Sequence, residues 1–367
     1  MEERVFRLTP LTPVHIGTGE VMGPEEYFID PPNKRLVRFN WHAVVAAWPD
    51  SDRRRFEQLV QTAVRAEQME QARKMLRGAA LQNAACHLYA TRIGGPAFSG
   101  LHNADPLRRG EIRLLCRNLH TRQAVIPGSS VKGAIRTAIV NAGAAAEIQR
   151  LHQELHRLLM ADPSERNCAW VQLEEIALAR KRNETEKDPL RVLLVSDGAM
   201  GEDAVRVDRV VIRKRTGSQS AGSQILQYVE RLLSRADRRD APSCLISIAI
   251  ATGRAQHPRS PLRRGAIGWD FLLDACNAFY YRRYLEEVQT FSFLAGTQWV
   301  PDALPEGAFL LRLGRFSHFE SLSVDALRSD WDARRNRPSE RVGGSRSLCA
   351  CDEKTLAPFG WVLLEPA

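Results

Sequence analysis

Residues Ile126–Arg136 read I-P-G-S-S-V-K-G-A-I-R, a set of types and spacings suited to the capture of a phosphate. Pro127 and Gly128 break the strand-like residues before them. Ser129 or Ser130 can serve as N-cap, and from Val131 onward the pattern is helical. Ala134, Ile135, Ala138 and Ile139 recur at i, i+1, i+4 and i+5 and give one apolar face. The start of such a helix offers backbone N–H groups and a partial positive charge. Lys132 and Arg136 stand four apart, share a face and add two full charges. The same residues also fit an ordinary capped helix with two solvated cations, and this segment alone does not decide between them.

Three other places carry chemistry-bearing residues. Gly17-Thr18-Gly19 follows a strand-like segment and His15. It suits either a close backbone approach to a ligand or a plain turn. Leu311–Phe319 interleaves Arg312, Gly314, Arg315, Phe316, His318 and Phe319. Basic residues among rings suit single-stranded RNA, through stacking and phosphate contact. They equally suit a loop that packs its phenylalanines and leaves its arginines in water. Arg334–Gly344 is a second basic, glycine-bearing loop of the kind usually found solvated. His152 and His156 share a helical face, but the metalloprotease pattern needs Glu directly after the first histidine. Here Glu154 comes two positions later, so no metal site is expected.

These segments must be positioned by alternating strands and helices. Val5–Leu11 reads as a strand and Tyr27–Phe39 as a hairpin about a D-P-P-N turn. Phe56–Tyr89 reads as one or two inserted helices, Glu111–Cys116 as a strand and Glu147–Met160 as an amphipathic helix. The polar run Ala179–Asp188 marks the expected division into domains 1–185 and 186–367. Strands follow at Arg191–Ser196 and Val205–Arg213, then a basic Gly/Ser loop at Arg213–Ser223 and a helix near Ile225–Ala236. A strand at Cys244–Ala251, a helix at Trp269–Val288 and strands at Phe309–Leu313 and Gly360–Leu364 complete the chain. The mixture without strict βαβ spacing predicts α+β domains with antiparallel sheets.

Lys and Arg number 52 against 43 Asp and Glu, a net charge of +9, which favours a polyanionic partner. Most of the excess is arginine, the better residue for bidentate phosphate contact and base stacking. Seven scattered cysteines read as small buried hydrophobes in a reducing compartment, not as a disulfide framework. Cys349 and Cys351 would share one face of a strand, and no second pair completes a zinc site. With no signal-like start and no membrane-length apolar run, the expected location is the cytoplasm.

The I-P-G-S-S-V-K-G-A-I-R string resembles the hallmark helix of the RAMP superfamily, the RRM-like subunits of CRISPR effector complexes. Leu8–Glu20, L-T-P-L-T-P-V-H-I-G-T-G-E, resembles the first strand and glycine turn of those proteins. Leu193–Asp197 (L-L-V-S-D), Leu311–Val324 and Pro358–Val362 (P-F-G-W-V) resemble the central strand, glycine loop and closing strand of one branch. That branch caps the 3′ end of the guide RNA in type III-A (Csm) complexes. The resemblance implies two RRM-like (ferredoxin-like) domains with antiparallel sheets and a helical insertion at about 56–89. It implies RNA contacts by His15, Gly17, Thr18, Gly19, Ser129, Ser130, Lys132, Arg136, Arg312, Gly314, Arg315 and Phe316, with bases stacked or splayed on the sheet face and loops.

The implied role is to bind and cap the 3′ part of the crRNA and to support its maturation. Implied partners are the crRNA, a backbone RAMP subunit, the small helical subunit and host trimming nucleases. Neither membrane contact nor a cofactor is expected. In the nuclease-bearing backbone subunit of such complexes, an aspartate lies in the loop after the first strand. Here that loop offers Glu20, Glu25 and Glu26, and Asp30 belongs to the hairpin turn, so no catalytic centre is expected. Two other roles stay open within the superfamily: a metal-independent endoribonuclease using His15 or His318, and the equivalent end subunit of a type III-B complex.

Overall fold

The computed structural model describes residues 1–62, 66–102, 110–143, 188–216, 227–251, 267–325 and 343–367, with isolated positions between 171 and 184 and short strands at 330–332 and 337–339. The helix read at Glu147–Met160, with His152 and His156, lies outside the described residues. So does most of the Arg213–Ser223 and Arg334–Gly344 loops.

The chain opens with β1 (Glu2–Pro10), β2 (Gly17–Met22) and the hairpin β3 (Tyr27–Asp30) to β4 (Arg35–Phe39). Three helices follow, α1 (Trp41–Ala46), α2 (Asp50–Gln61) and α3 (Ala66–Gln82). Then come β5 (His87–Ile93), α4 (Gly95–His102), β6 (Ile112–Leu115) and β7 (Val125–Ile126). Residues 128–143 are helix α5. Next are β8 (Leu193–Val195), β9 (Gly198–Ala199), β10 (Val205–Lys214), β11 (Gln227–Leu232), β12 (Cys244–Ile250) and the long helix α6 (Trp269–Thr290). The last strands are β13 (Phe309–Arg312), β14 (Asp330–Asp332), β15 (Arg337–Ser339), β16 (Ser345–Ala350), β17 (Leu356–Pro358) and β18 (Trp361–Pro366).

Five strands pair antiparallel in the order β13-β18-β1-β12-β8. Taken as β1-α5-β8-β12-α6-β18, the connections are those of a ferredoxin-like unit. Val131, Ile135, Ala138 and Ile139 of α5 join Leu272, Cys276 and Phe279 of α6 in one apolar cluster with Phe6, Leu8, Ile246 and Ile248 of the strands. The helix face expected from spacing at 134–139 is therefore the face that is buried. The opposite face of the sheet is open and carries Val5, Leu194 and Leu245 at 44%, 39% and 57% exposure. Among the described residues no aromatic ring is exposed there, so the expected stacking of bases on this sheet has no platform.

The second sheet runs β2-β6-β11-β10-β5-β4-β3, with β16 on the far half of β10 and β17 beyond it. It is mostly antiparallel, with parallel pairings only at β10/β5 and β11/β6 among its described strands. The fold is thus α+β with largely antiparallel sheets, as expected. The division at 185/186 does not separate them, because β1 pairs with β12 and β18 while β4, β5 and β10 share the other sheet. Long-range strand pairing decides the units, and a polar linker in sequence does not report it.

Two further expectations are corrected. The helical insertion begins at Trp41, not near 56, with Asn40 capping α1 through its side chain. It ends before His87, where H-L-Y-A-T-R-I forms a strand. Residues 227–232, read as part of a helix, are strand β11. Glu230 and Arg231, within that expected helix, are both buried on the strand. Glu230 pairs with Arg117, and Arg231 pairs with Asp208 and Asp237. Cys349 and Cys351 do share one buried face, against Val210, Val229 and Phe359.

Candidate nucleic-acid interface

Residues 13–16 leave the first sheet and enter the second, and hydrogen bonds hold them on both sides. Gly360 N–H donates to the Pro13 carbonyl at 2.8 Å and Arg315 N–H to the His15 carbonyl at 2.9 Å. On the other side Leu232 N–H donates to Val14 at 2.8 Å and Cys116 N–H to Ile16 at 2.8 Å. Two segments singled out in sequence, 17–19 and 314–316, are thereby brought together although hundreds of residues apart. Gly314 has φ +92°, and a Cβ there would lie 2.3 Å from the His15 carbonyl oxygen, so only glycine permits this approach.

The two segments wall a cleft of about 380 Å³ lined by Gly17, Thr18, Gly19, Glu20, Gly314 and Arg315, with His15, Ile16, Arg113 and Leu114 behind them. A bulge in β2 between Gly17 and Val21 sets its floor, and Arg113 on β6 pairs with Val21. Arg315 is exposed and Arg113 half-buried. The cleft thus holds two guanidiniums, a run of exposed glycine backbone and one carboxylate, Glu20. Arg113 was not among the residues expected. Its signal was present in the alternation I-R-L-L, which turns Arg113 away from buried Ile112 and Leu114.

His15 is 2% exposed. Its Nδ1 lies 2.7 Å from the Glu230 carbonyl oxygen, which can only accept, so Nδ1 carries the proton. That bond assigns the neutral tautomer with Nε2 as acceptor. Burial holds the imidazole below its usual range; the Glu230 contacts oppose this, and Arg315 and Arg113 reinforce it. The ring also packs against Phe316, centroids 5.8 Å apart, and Phe316 against Phe359 at 4.7 Å. Phe316 is therefore half-buried packing for the loop.

Arg312, expected on the binding surface, is inside the protein at 3% exposure. Its Nη2 donates to Glu287 at 2.8 Å, its Nε to the Phe359 carbonyl at 3.0 Å, and it lies over the Trp361 ring. Glu287 also accepts from Arg346 Nε at 2.7 Å and Trp361 Nε1 at 2.9 Å. One carboxylate thus joins α6, β13, β16 and β18 beneath the loop. The residue type suits RNA, but Arg312 ends a strand that is buried along its whole length.

The start of α5 also differs from expectation. The helix begins at Gly128, so neither Ser129, which is exposed, nor Ser130 is the cap. The Asp197 carboxylate accepts from Gly128 N–H at 2.7 Å and so takes the place a phosphate would need at that amide. A Cβ on Gly128 would meet the Val195 carbonyl oxygen at 2.3 Å, so the helix start is pressed onto β8. Lys132 Nζ donates to the Leu193 carbonyl at 2.6 Å. Arg136 pairs with Asp188 at 2.9 Å and with Glu174. None of Ser129, Ser130, Lys132 and Arg136 lines the glycine cleft. The two cations expected to hold phosphates instead fasten α5 to L-L-V-S-D and the segment before it.

His318, the other histidine of interest, has φ +58°. Burial and then Arg312 and Arg346 push its pKa down to about 3. A second cleft, lined by Arg35, Arg92, Arg117 and Arg122, also contains Glu202 and Asp203. Arg92 there pairs with Asp203 and Arg117 with Glu230, so less of its charge faces outward. No helix among the described residues is long and apolar enough to cross a membrane.

A family model described as the RAMP superfamily matches residues 7–221. Among solved structures, the chain is similar to one in a cryo-EM structure of a Csm-crRNA-target RNA ternary complex of a type III-A CRISPR-Cas system. The TM-score is 0.65 and the identity 18%, covering 100% of both chains. It is also similar to the crystal structure of T. onnurineus Csm5, with TM-score 0.59 and 19% identity over 97% of this chain and 99% of that one. These likenesses are of fold. No curated protein sequence matches the chain.

Proposed function

This chain belongs to the RAMP superfamily, and from that premise we propose that it is a non-catalytic RNA-binding subunit of a type III-A CRISPR effector complex. In this reading it caps the 3′ part of the guide RNA, docks on a backbone RAMP subunit and supports guide maturation. The observation that carries the reading is the arginine-flanked glycine cleft, built where the ends of the chain meet at His15. Exposed backbone N–H groups and two guanidiniums suit the phosphates of a single strand, and neither reads bases, so binding is weakly sequence-specific. The likeness in fold to a chain of a crRNA-bound Csm complex and, over nearly the full length of both chains, to Csm5 supports a place in such an assembly.

A nuclease role fits the site less well. A histidine held at about pKa 3, as His318 is, stays neutral and cannot act as general acid near neutral pH. His15, its Nδ1–H given to the Glu230 carbonyl and its imidazole held below the usual range by burial, offers no general acid near neutral pH either.

The test is the salt dependence of RNA affinity in the wild type and in a double variant Arg113→Ala, Arg315→Ala. Each phosphate contact contributes about −0.7 to the slope of log affinity against log salt, so the double variant flattens it by up to about 1.4. An unchanged slope overturns this cleft as the RNA site. Native mass spectrometry of the purified complex should count one copy; two or more would refute the capping role, since a terminal subunit lacks one of the two polymerising surfaces.

A further inference from the structure

We propose that His15 makes the glycine cleft selective for RNA over DNA, its Nε2 accepting a hydrogen bond from a ribose 2′-hydroxyl. The inference rests on the RNA-binding reading above and deepens it.

A neutral acceptor between two guanidiniums is the wrong group for a phosphate. A phosphodiester has no proton to donate, and its oxygens would face the lone pair of Nε2. The geometry therefore asks for a ligand that brings negative charge to Arg113 and Arg315 and an O–H or N–H donor to His15. A ribonucleotide strand carries both on every residue, and a deoxyribonucleotide strand lacks the sugar donor. Base amino and imino groups are a second source of donors, present in both kinds of strand. The sugar is favoured because the rest of the cleft consists of backbone and cations that meet a strand along its backbone.

Three observations show that the acceptor is built and kept open. The Nδ1 contact to the Glu230 carbonyl at 2.7 Å fixes which nitrogen holds the proton. Phe316 on one side and the buried strand β11 on the other hold the ring in place. Gly17 leaves the approach clear, since a Cβ there would lie 2.8 Å from His15 Nε2. Glycine at 17 has no positive φ to require it; the imidazole edge and the Leu114 carbonyl oxygen, 3.3 Å from such a Cβ, leave room for nothing larger.

The experiment uses the full chain and three oligonucleotides of one sequence: RNA, DNA, and RNA with 2′-O-methyl groups, which accept but do not donate. Fluorescence anisotropy at fixed salt should show the wild type binding RNA about 3- to 10-fold more tightly than the other two, the range of one net hydrogen bond. His15→Phe keeps a ring against Phe316 and removes the acceptor. RNA affinity should fall to the DNA level while DNA affinity holds. Gly17→Ala, which keeps the imidazole but sets a Cβ against Nε2, should act in the same direction. His15→Gln, whose amide both donates and accepts, should recover part of the preference.

Equal affinity of the wild type for RNA and DNA overturns the proposal. So does an equal loss for both strands in His15→Phe and Gly17→Ala, which would mark His15 as packing alone. A loss in His15→Phe that follows the base sequence and appears with DNA would assign the donor to a base and also overturn it. Absence of binding to every strand would refute the RNA-binding reading on which the proposal stands.

Discussion

Replacing Glu287 by Gln tests whether the buried charge cluster holds the cleft in shape. Glu287 is 1% exposed and faces Arg312 and Arg346, at 3% and 2%. The substitution keeps the volume, removes the charge and leaves one acceptor oxygen where two had served three donors. Among the described residues, Arg346 of the two guanidiniums retains a carboxylate partner, Glu320, at 3.0 Å, and Arg312 does not. Breaking a buried pair by removing one charge costs about 3–5 kcal/mol, because the partner stays buried and uncompensated. Unfolding entropy of about 2.1 cal/mol/K per residue, taken over 367 residues, gives roughly 0.8 kcal/mol/K, so Tm should fall by about 4–6 °C.

The pH dependence adds a signature. Burial acts to raise the Glu287 pKa, but Arg312 and Arg346 outweigh it, and the carboxyl sits below its usual range. A carboxylate depressed in the folded state stabilises fully above its unfolded pKa of about 4.3 and loses that contribution as pH falls through the folded value. The loss in Glu287→Gln should therefore be full at pH 7 and shrink below about pH 4. Thermal melts across pH, with RNA affinity measured alongside, make the assay. A Glu287→Gln protein within 1 kcal/mol of wild type at pH 7 would refute the reasoning.

Other expectations are as direct. Lys132→Ala with Arg136→Ala should lower Tm and leave the salt slope of RNA binding unchanged, since both cations act inside the fold. Gly314→Ala, at φ +92° and against the His15 carbonyl, should cost about 1–3 kcal/mol in urea unfolding and weaken RNA binding. Both His15 and His318 are held below their usual pKa. The unfolded chain thus binds more protons as pH drops below about 6.5, and stability falls on acidification. His318→Gln should flatten that decline in thermal melts between pH 6.5 and 4.5.

Local pattern made part of this legible. The apolar face of 134–139, the D-P-P-N hairpin, the long helix from Trp269 and the two glycine segments could all be read from residue types and spacing. Burial of charge could not be. Arg312, Glu230 and Arg231 have the composition of solvent-facing residues, and only their partners, brought from other parts of the chain, place them inside. The same blindness reversed the roles of two arginine sets. Arg136 sat in a conspicuous motif yet pairs internally, while Arg113 sat in a plain strand and lines the cleft. The domain division failed for a related reason, since a strand's partner is not encoded next to it.

The pairing of β1 with β18 has a consequence for how the molecule comes into being. Leu8 lies beside Leu364 and Thr9 beside Leu363, and the same end of the chain delivers Gly360 to Pro13. During synthesis the first strand waits through nearly the whole chain for this neighbour, exposing apolar Phe6 and Leu8 meanwhile. The loop bearing Gly314 closes on His15 only when that late segment is present. A chain that has not yet added that segment therefore displays its basic residues without a formed cleft.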